Sequence, residues 1–68
     1  MKLKVFFDRE NREEEVELSS KSTVRDLLNQ MSINPVTVIV SKNDDIVFED
    51  EKLDNNDSIK IISVISGG

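Results

Sequence analysis

Residues 23–40 read TVRDLLNQMSINPVTVIV, and they decide the fold class because a short helix leads directly into a strand. The helix is predicted from apolar residues that fall at i, i+3, i+4 and i+7 and so share one face: Val24, Leu27, Leu28 and Met31. Thr23 precedes Asp26 by three residues, a spacing typical of a capping box, and Ser22 is the alternative cap. A helix of about two turns must pack against a sheet to persist in water.

The second half of this stretch predicts the end of the helix region and the start of a strand. Asn34 precedes Pro35, and the residue before a proline is pushed out of the helical basin. Residues 36–40 are all β-branched, which makes them the strongest strand signal in the chain. The helix region is therefore expected to end at Asn34-Pro35, with a strand over residues 36–40.

Alternating apolar residues predict further strands on both sides. Residues 2–7 and 15–18 alternate around a polar turn at 8–12, which predicts an N-terminal hairpin. After residue 40 the pattern predicts these elements: a turn at 42–45, a short strand at 46–48, an asparagine-rich turn at 54–57 and a last strand at 59–65. One short helix must cover one face of this sheet, so the fold class is a two-layer α+β domain.

Composition excludes several classes of function. The 68-residue chain has no Cys and no His, so disulfides, thiolate or imidazole metal sites and the commonest general base are excluded. The net charge of −5 argues against binding nucleic acid, which depends on cationic contacts to phosphates. No run approaches the roughly 18 apolar residues of a membrane span, and no signal segment is seen, so a cytoplasmic location is expected. An enzyme is improbable on these grounds, and the chain is expected to act by being recognised.

The element order, the length and the final Gly67-Gly68 resemble the ubiquitin-like β-grasp fold, and most closely the MoaD/ThiS sulfur-carrier family with its small archaeal ubiquitin-like modifier proteins. The matching segments span the chain: the helix start at 23–28, the link at 33–35, the strand at 36–40, the hairpin at 42–47 and the end at 59–68. Two features depart from the family pattern. Asn55-Asn56-Asp57 stands where the family usually carries glycine, and the tail lacks the arginines of ubiquitin.

The resemblance implies a mixed four- to five-stranded sheet packed against one main helix, with the first and last strands parallel at its centre. It implies a β-grasp domain over residues 1–66 and a flexible diglycine tail at 67–68. Glycine has no Cβ, so two in a row suit a tail that threads into the narrow site of another enzyme. A frayed terminus is the competing interpretation of the same two residues.

The resemblance also implies the chemistry of the tail. An E1-like adenylating enzyme would use ATP and magnesium to activate the Gly68 carboxylate, with Gly67 beside it, and this chain would itself bind no cofactor. A sulfur donor would then give a thiocarboxylate for a sulfur-accepting biosynthetic enzyme, or a protein lysine would attack to form an isopeptide bond. Thiamine, molybdopterin and tRNA thiolation pathways all stay open, and a monomer is expected.

Strand alternation predicts a docking surface on the face away from the helix. Phe6, Ile39 and Ile62 fall on that side and Val64 lies near them, while the opposite positions face the helix: Leu3, Val5, Phe7, Val38, Val40, Ile59 and Ile61. By resemblance, this face docks the activating enzyme. The competing interpretation is single exposed side chains, or side chains covered by a dimer contact or by the stems of Lys4 and Lys60.

Two further functions compete with the carrier. One is a β-grasp interaction module that binds a partner through its sheet face and leaves the tail idle. The other is an acidic mimic of nucleic acid, which the interspersed lysines disfavour. The acidic clusters at 13–15, 44–45 and 49–57 fit docking to a basic groove, but a solvated, solubilising face is the simpler interpretation.

Overall fold

A computed structural model describes residues 1–64 of the chain. Its elements are β1 (Lys2–Phe7), β2 (Arg12–Glu17), α1 (Val24–Gln30), a 3-10 turn (Pro35–Thr37), β3 (Val38–Lys42), β4 (Asp45–Val47) and β5 (Ser58–Ser63). No helix among the described residues is long and apolar enough to cross a membrane.

The five strands form one mixed sheet in the order β2-β1-β5-β3-β4. β1 and β5 run parallel at its centre, and the outer neighbours pair antiparallel: β2 with β1, β3 with β5, and β4 with β3. The parallel central pair and the two-layer α+β arrangement confirm the predicted architecture. Because β3 is antiparallel to both β4 and β5, the C-terminal ends of β4 and β5 lie at the same end of the sheet, on either side of β3.

The core lies between α1 and one face of the sheet. The strand positions predicted to face the helix are buried, except Val38, which is half-buried. Leu27 and Leu28 of the helix are buried in this core, and so is Leu53 of the loop before β5. Full burial of side chains of this size contributes about 1.5–3 kcal/mol each, which lets a helix of seven residues persist.

Helix α1 begins with the predicted capping box and ends sooner than the sequence suggested. The Thr23 hydroxyl accepts from the Asp26 backbone N–H, and the Asp26 carboxylate accepts from the Thr23 backbone N–H at 2.9 Å. Met31 is the C-cap, and Ser32 follows with a φ of 58° in the left-handed region. That residue stops the helix before Asn34-Pro35, so the predicted end was a few residues too late.

Residues 36 and 37 were predicted as strand and instead belong to the 3-10 turn. The Asn34 side-chain oxygen accepts from the Val36 backbone N–H at 3.1 Å, and Pro35 occupies the first position of the turn. The Thr37 hydroxyl donates to the Asn34 carbonyl oxygen at 2.7 Å. This local capping outweighs the β-propensity of two β-branched residues, so β3 begins only at Val38.

Within the described residues the last strand ends at Ser63, and residue 65, the predicted end, lies outside them. The backbone N–H of Val64 donates to the Thr37 carbonyl oxygen at 3.0 Å, which continues the β3–β5 register by one position beyond the last strand pair. The predicted boundary between the domain (1–66) and the tail (67–68) lies outside the described residues.

Candidate functional site

The face of the sheet away from α1 carries the predicted docking residues. Ile39 on β3 and Ile62 on β5 are direct cross-strand partners, and the next pair along the ladder, Val40 and Ile61, is buried under the helix. Ile39 is 41% exposed and Ile62 is half-buried. Two apolar side chains thus sit side by side on a surface that the rest of the fold leaves uncovered.

Phe6 adds an aromatic ring on the neighbouring strand. It pairs with Lys60 in the parallel β1–β5 register, and the Lys60 ammonium lies 5.8 Å from the centre of the Phe6 ring. The ring is half-buried. Lys60 therefore covers part of this surface, as one of the competing interpretations anticipated, and leaves Ile39 and Ile62 accessible.

Val64 stands where the chain leaves the sheet. It follows Ser63, the partner of Val38 in the β3–β5 register, and is 50% exposed. The hydrogen bond from Val64 to the Thr37 carbonyl oxygen fixes this exit point beside the start of β3. Gly67 and Gly68, the predicted reactive tail, lie outside the described residues.

Ile46 belongs to the same surface and was not singled out from the sequence. It lies opposite Ser41 in the β3–β4 register and is 62% exposed. The two residues between β3 and β4, Asn43 and Asp44, have φ of 51° and 74°, as in a type I′ hairpin turn. That turn signal fixes the register and would have placed Ile46 on the open face. We call Phe6, Ile39, Ile46, Ile62 and Val64 the open-face patch.

The acidic segment 49–57 has a structural role at its C-terminal end. The buried Asp57 carboxylate accepts from the Asn43 side-chain amide at 3.0 Å and from the Asp54 backbone N–H at 2.7 Å. Lys42 donates to the Glu51 carboxylate at 2.7 Å, and this hydrogen bond raises the pKa of Lys42 above its ordinary value. Among residues 1–64, no group of three or more carboxylates converges to hold a metal ion.

Two open grooves flank α1 on its sheet side. The larger, of about 600 Å³, runs below the C-terminal end of α1 and is lined by Phe7, Met31, Ile33 and the two arginines of the first hairpin, Arg9 and Arg12. The smaller, of about 430 Å³, lies between α1 and the β3–β4 hairpin. Among the described residues, no side-chain hydrogen bond in either groove joins a hydroxyl to a carboxylate that could act as its base.

The family model described as the ThiS family matches residues 5–68, which is nearly the whole chain. The chain belongs to the ThiS family. It is therefore a member of a family of sulfur carriers with a ubiquitin-like fold. The sulfur carrier protein TtuB of Thermus thermophilus is 28% identical over 54 residues, covering 79% of this chain and 83% of that protein.

Two solved structures share the fold. A putative molybdopterin converting factor, subunit 1, from Pyrococcus furiosus superposes with a TM-score of 0.78 at 22% identity, covering 94% of this chain and 98% of that one. SAMP1 from Haloferax volcanii gives a TM-score of 0.76 at 17% identity and covers both chains completely. These two matches confirm the predicted β-grasp fold, and the match to the ThiS family model confirms the family resemblance.

Proposed function

We propose that this protein is a sulfur carrier that works through the carboxylate of Gly68. The observation that carries the proposal is the family match, which runs through the diglycine to residue 68, together with a relative named as a sulfur carrier. The described fold supports it in one respect. Val64, the last described residue, belongs to the open-face patch, so an enzyme docked on that patch would contact the chain where its described part ends.

The tail chemistry takes place on a partner. A free carboxylate is a poor acyl donor, so an E1-like enzyme with bound ATP and magnesium joins it to AMP and releases pyrophosphate. A sulfur donor then displaces AMP and leaves a thiocarboxylate on Gly68. A sulfur-accepting enzyme takes that sulfur, and water supplies the oxygen that restores the carboxylate.

In this scheme the chain catalyses nothing and binds no cofactor. Its own residues present the carboxylate and supply the docking surface. Conjugation of the same activated carboxylate to a protein lysine is the other product that the adenylate allows, with AMP again leaving. The name of the Thermus relative favours sulfur transfer as the first product to test.

We propose that the activating enzyme docks on the open-face patch. Its apolar side chains come from β1, β3, β4 and β5, so they form a surface that only the folded sheet assembles. Contiguous exposed apolar surface of this kind commonly marks a protein-binding site. Lys60 lies within it, between Phe6 on β1 and Ser41 on β3, and adds a positive charge beside Phe6.

The test is ATP–pyrophosphate exchange by the E1-like enzyme of the same host, with the full chain as substrate. Deletion of Gly68, or addition of one residue after it, should abolish exchange while the circular dichroism spectrum is unchanged. Val36→Ser, a change at an exposed site away from the patch, is the matched control and should retain exchange. Exchange that survives both tail changes would overturn the proposal and favour an interaction module with an idle tail.

A further inference from the structure

Lys60 is a cation in the middle of the open-face patch, whose defining side chains are all apolar. In the sheet register it lies between Phe6 on β1 and Ser41 on β3, and Ile46 follows Ser41 on β4. Ile62, two residues further along β5, is on the same face. Lys60 itself is exposed. A partner that covers the patch would therefore cover this charge as well.

The described part of the chain gives the Lys60 ammonium no carboxylate partner. None of the ion pairs formed within residues 1–64 includes Lys60. Glu13, which stands opposite Phe6 on β2, is separated from Lys60 by strand β1. The ammonium lies 5.8 Å from the centre of the Phe6 ring, and this attraction is weak at an exposed site. The charge of Lys60 is therefore balanced mainly by water in the free protein.

Covering this cation with apolar atoms alone is unfavourable, because the ammonium would lose water without gaining a counter-charge. The residues beside it on the same face, Ser41 and Ser58, are uncharged. Lys4 of β1 differs, because it lies opposite Glu15 on the neighbouring strand. Lys4 thus has a carboxylate beside it within the sheet, whereas Lys60 needs one from a partner.

We infer that the activating enzyme places a carboxylate, from an Asp or Glu side chain, against Lys60 in the middle of an apolar contact with the open-face patch. The inference rests on the proposed function, because it requires that the enzyme docks on this patch. The contact runs opposite to the overall charge of the chain, since a net charge of −5 by itself attracts a positively charged partner. An enzyme with an apolar or basic side chain opposite Lys60 would leave a buried cation unpaired, so this contact selects the partner.

The test is calorimetric titration of the E1-like enzyme of the same host with the full chain and with three variants of Lys60. Lys60→Met keeps a long apolar stem beside Phe6 and removes only the charge, so binding should weaken at least about tenfold. Lys60→Glu brings two like charges together and should weaken binding at least about a hundredfold. Lys60→Arg restores the positive charge and should bind nearly as the wild type does. Because Lys60 is exposed, all three variants should unfold thermally close to the wild-type midpoint.

Lys4→Met is the matched control, because it removes the same charge from the same face of the sheet, outside the patch. It should bind the enzyme as the wild type does. The inference is overturned if Lys60→Met binds as tightly as the wild type or more tightly, or if Lys4→Met loses as much affinity as Lys60→Met. It is also overturned if Lys60→Glu binds no more weakly than Lys60→Met.

Ile39→Lys separates this inference from the proposed docking surface. If Ile39→Lys weakens binding and Lys60→Met does not, the inference fails and the docking surface stands. If both variants bind as the wild type does, the docking surface fails and the inference fails with it. The tail chemistry is tested separately, by ATP–pyrophosphate exchange with the chain lacking Gly68.

Discussion

At the scale of single residues, a substitution at Ile39 tests binding of the activating enzyme separately from the stability of the fold. Its side chain lies on the open face against Ile62 and is 41% exposed, so Ile39→Lys should change the free energy of unfolding by no more than about 0.5 kcal/mol. A charge in the middle of an apolar contact should weaken binding of the activating enzyme by at least about tenfold. Calorimetric titration of that enzyme measures the effect, with Val36→Lys as control. Equal affinities of the two variants would remove Ile39 from the docking surface.

Before the last strand, where the family usually has glycine, Asn56 adopts the backbone conformation that a glycine would favour. Its φ is 69°, in the left-handed region that asparagine tolerates better than most residues. Asn56→Ala should therefore lower the free energy of unfolding by roughly 1 kcal/mol, because a Cβ without a compensating polar group is strained there. Asn56→Gly should be close to neutral. Urea unfolding of both variants measures the difference, and an alanine variant as stable as the glycine variant would contradict this account.

At the scale of elements, the seven-residue helix depends on its cap. At the helix N-terminus, the side chains of Thr23 and Asp26 each accept a hydrogen bond from the backbone N–H of the other residue. Thr23→Ala removes the hydroxyl acceptor and should cost about 1 kcal/mol of stability, whereas Thr23→Ser keeps it and should cost much less. Chemical denaturation of the pair checks this, and identical midpoints for alanine and serine would show that the cap is dispensable.

The contact between β3 and the loop after β4 should depend on pH in the alkaline range. The hydrogen bond to Glu51 raises the pKa of Lys42 above its ordinary 10.5. Because the folded pKa exceeds the unfolded one, the stabilisation is fully present below about pH 10.5 and is lost as the pH rises through the folded pKa. The difference in unfolding free energy between wild type and Lys42→Met should be constant from about pH 7 to 9 and shrink above pH 10.5. A difference that grows with pH would contradict the assignment.

Periodicity and caps were sufficient to predict most elements, because those signals are local. The helix stripe, its capping box, the alternation in β1 and the turn at Asn56 all appear in the structure as predicted. Residues 36 and 37 could not be assigned correctly from propensity. The Val36 N–H and the Thr37 hydroxyl donate to the side-chain and backbone oxygens of Asn34, and these hydrogen bonds hold both residues in a turn. The exposure of Phe48 could not be predicted either, since it depends on β4 ending early against α1.

At the scale of the whole molecule, the parallel pairing of β1 and β5 at the centre of the sheet brings Phe6, Ile62 and Val64 to one face. The pairing of β1 with β5 was predicted only through the family resemblance, since alternation within each strand does not specify a neighbour. Membership in the ThiS family supports the proposal of a carrier whose folded part is recognised and whose tail reacts, and the two structural matches show its fold.

The central claim is that Gly68 carries sulfur, and intact mass spectrometry of the protein from its native host tests it most directly. The account predicts a fraction of molecules heavier by the exchange of one oxygen for sulfur, and no such fraction in the variant lacking Gly68. Larger species joined through Gly68 to lysines of other proteins would show that conjugation is the main outcome instead. An unmodified mass, obtained while the activating enzyme and the sulfur donor are both present, would contradict the account.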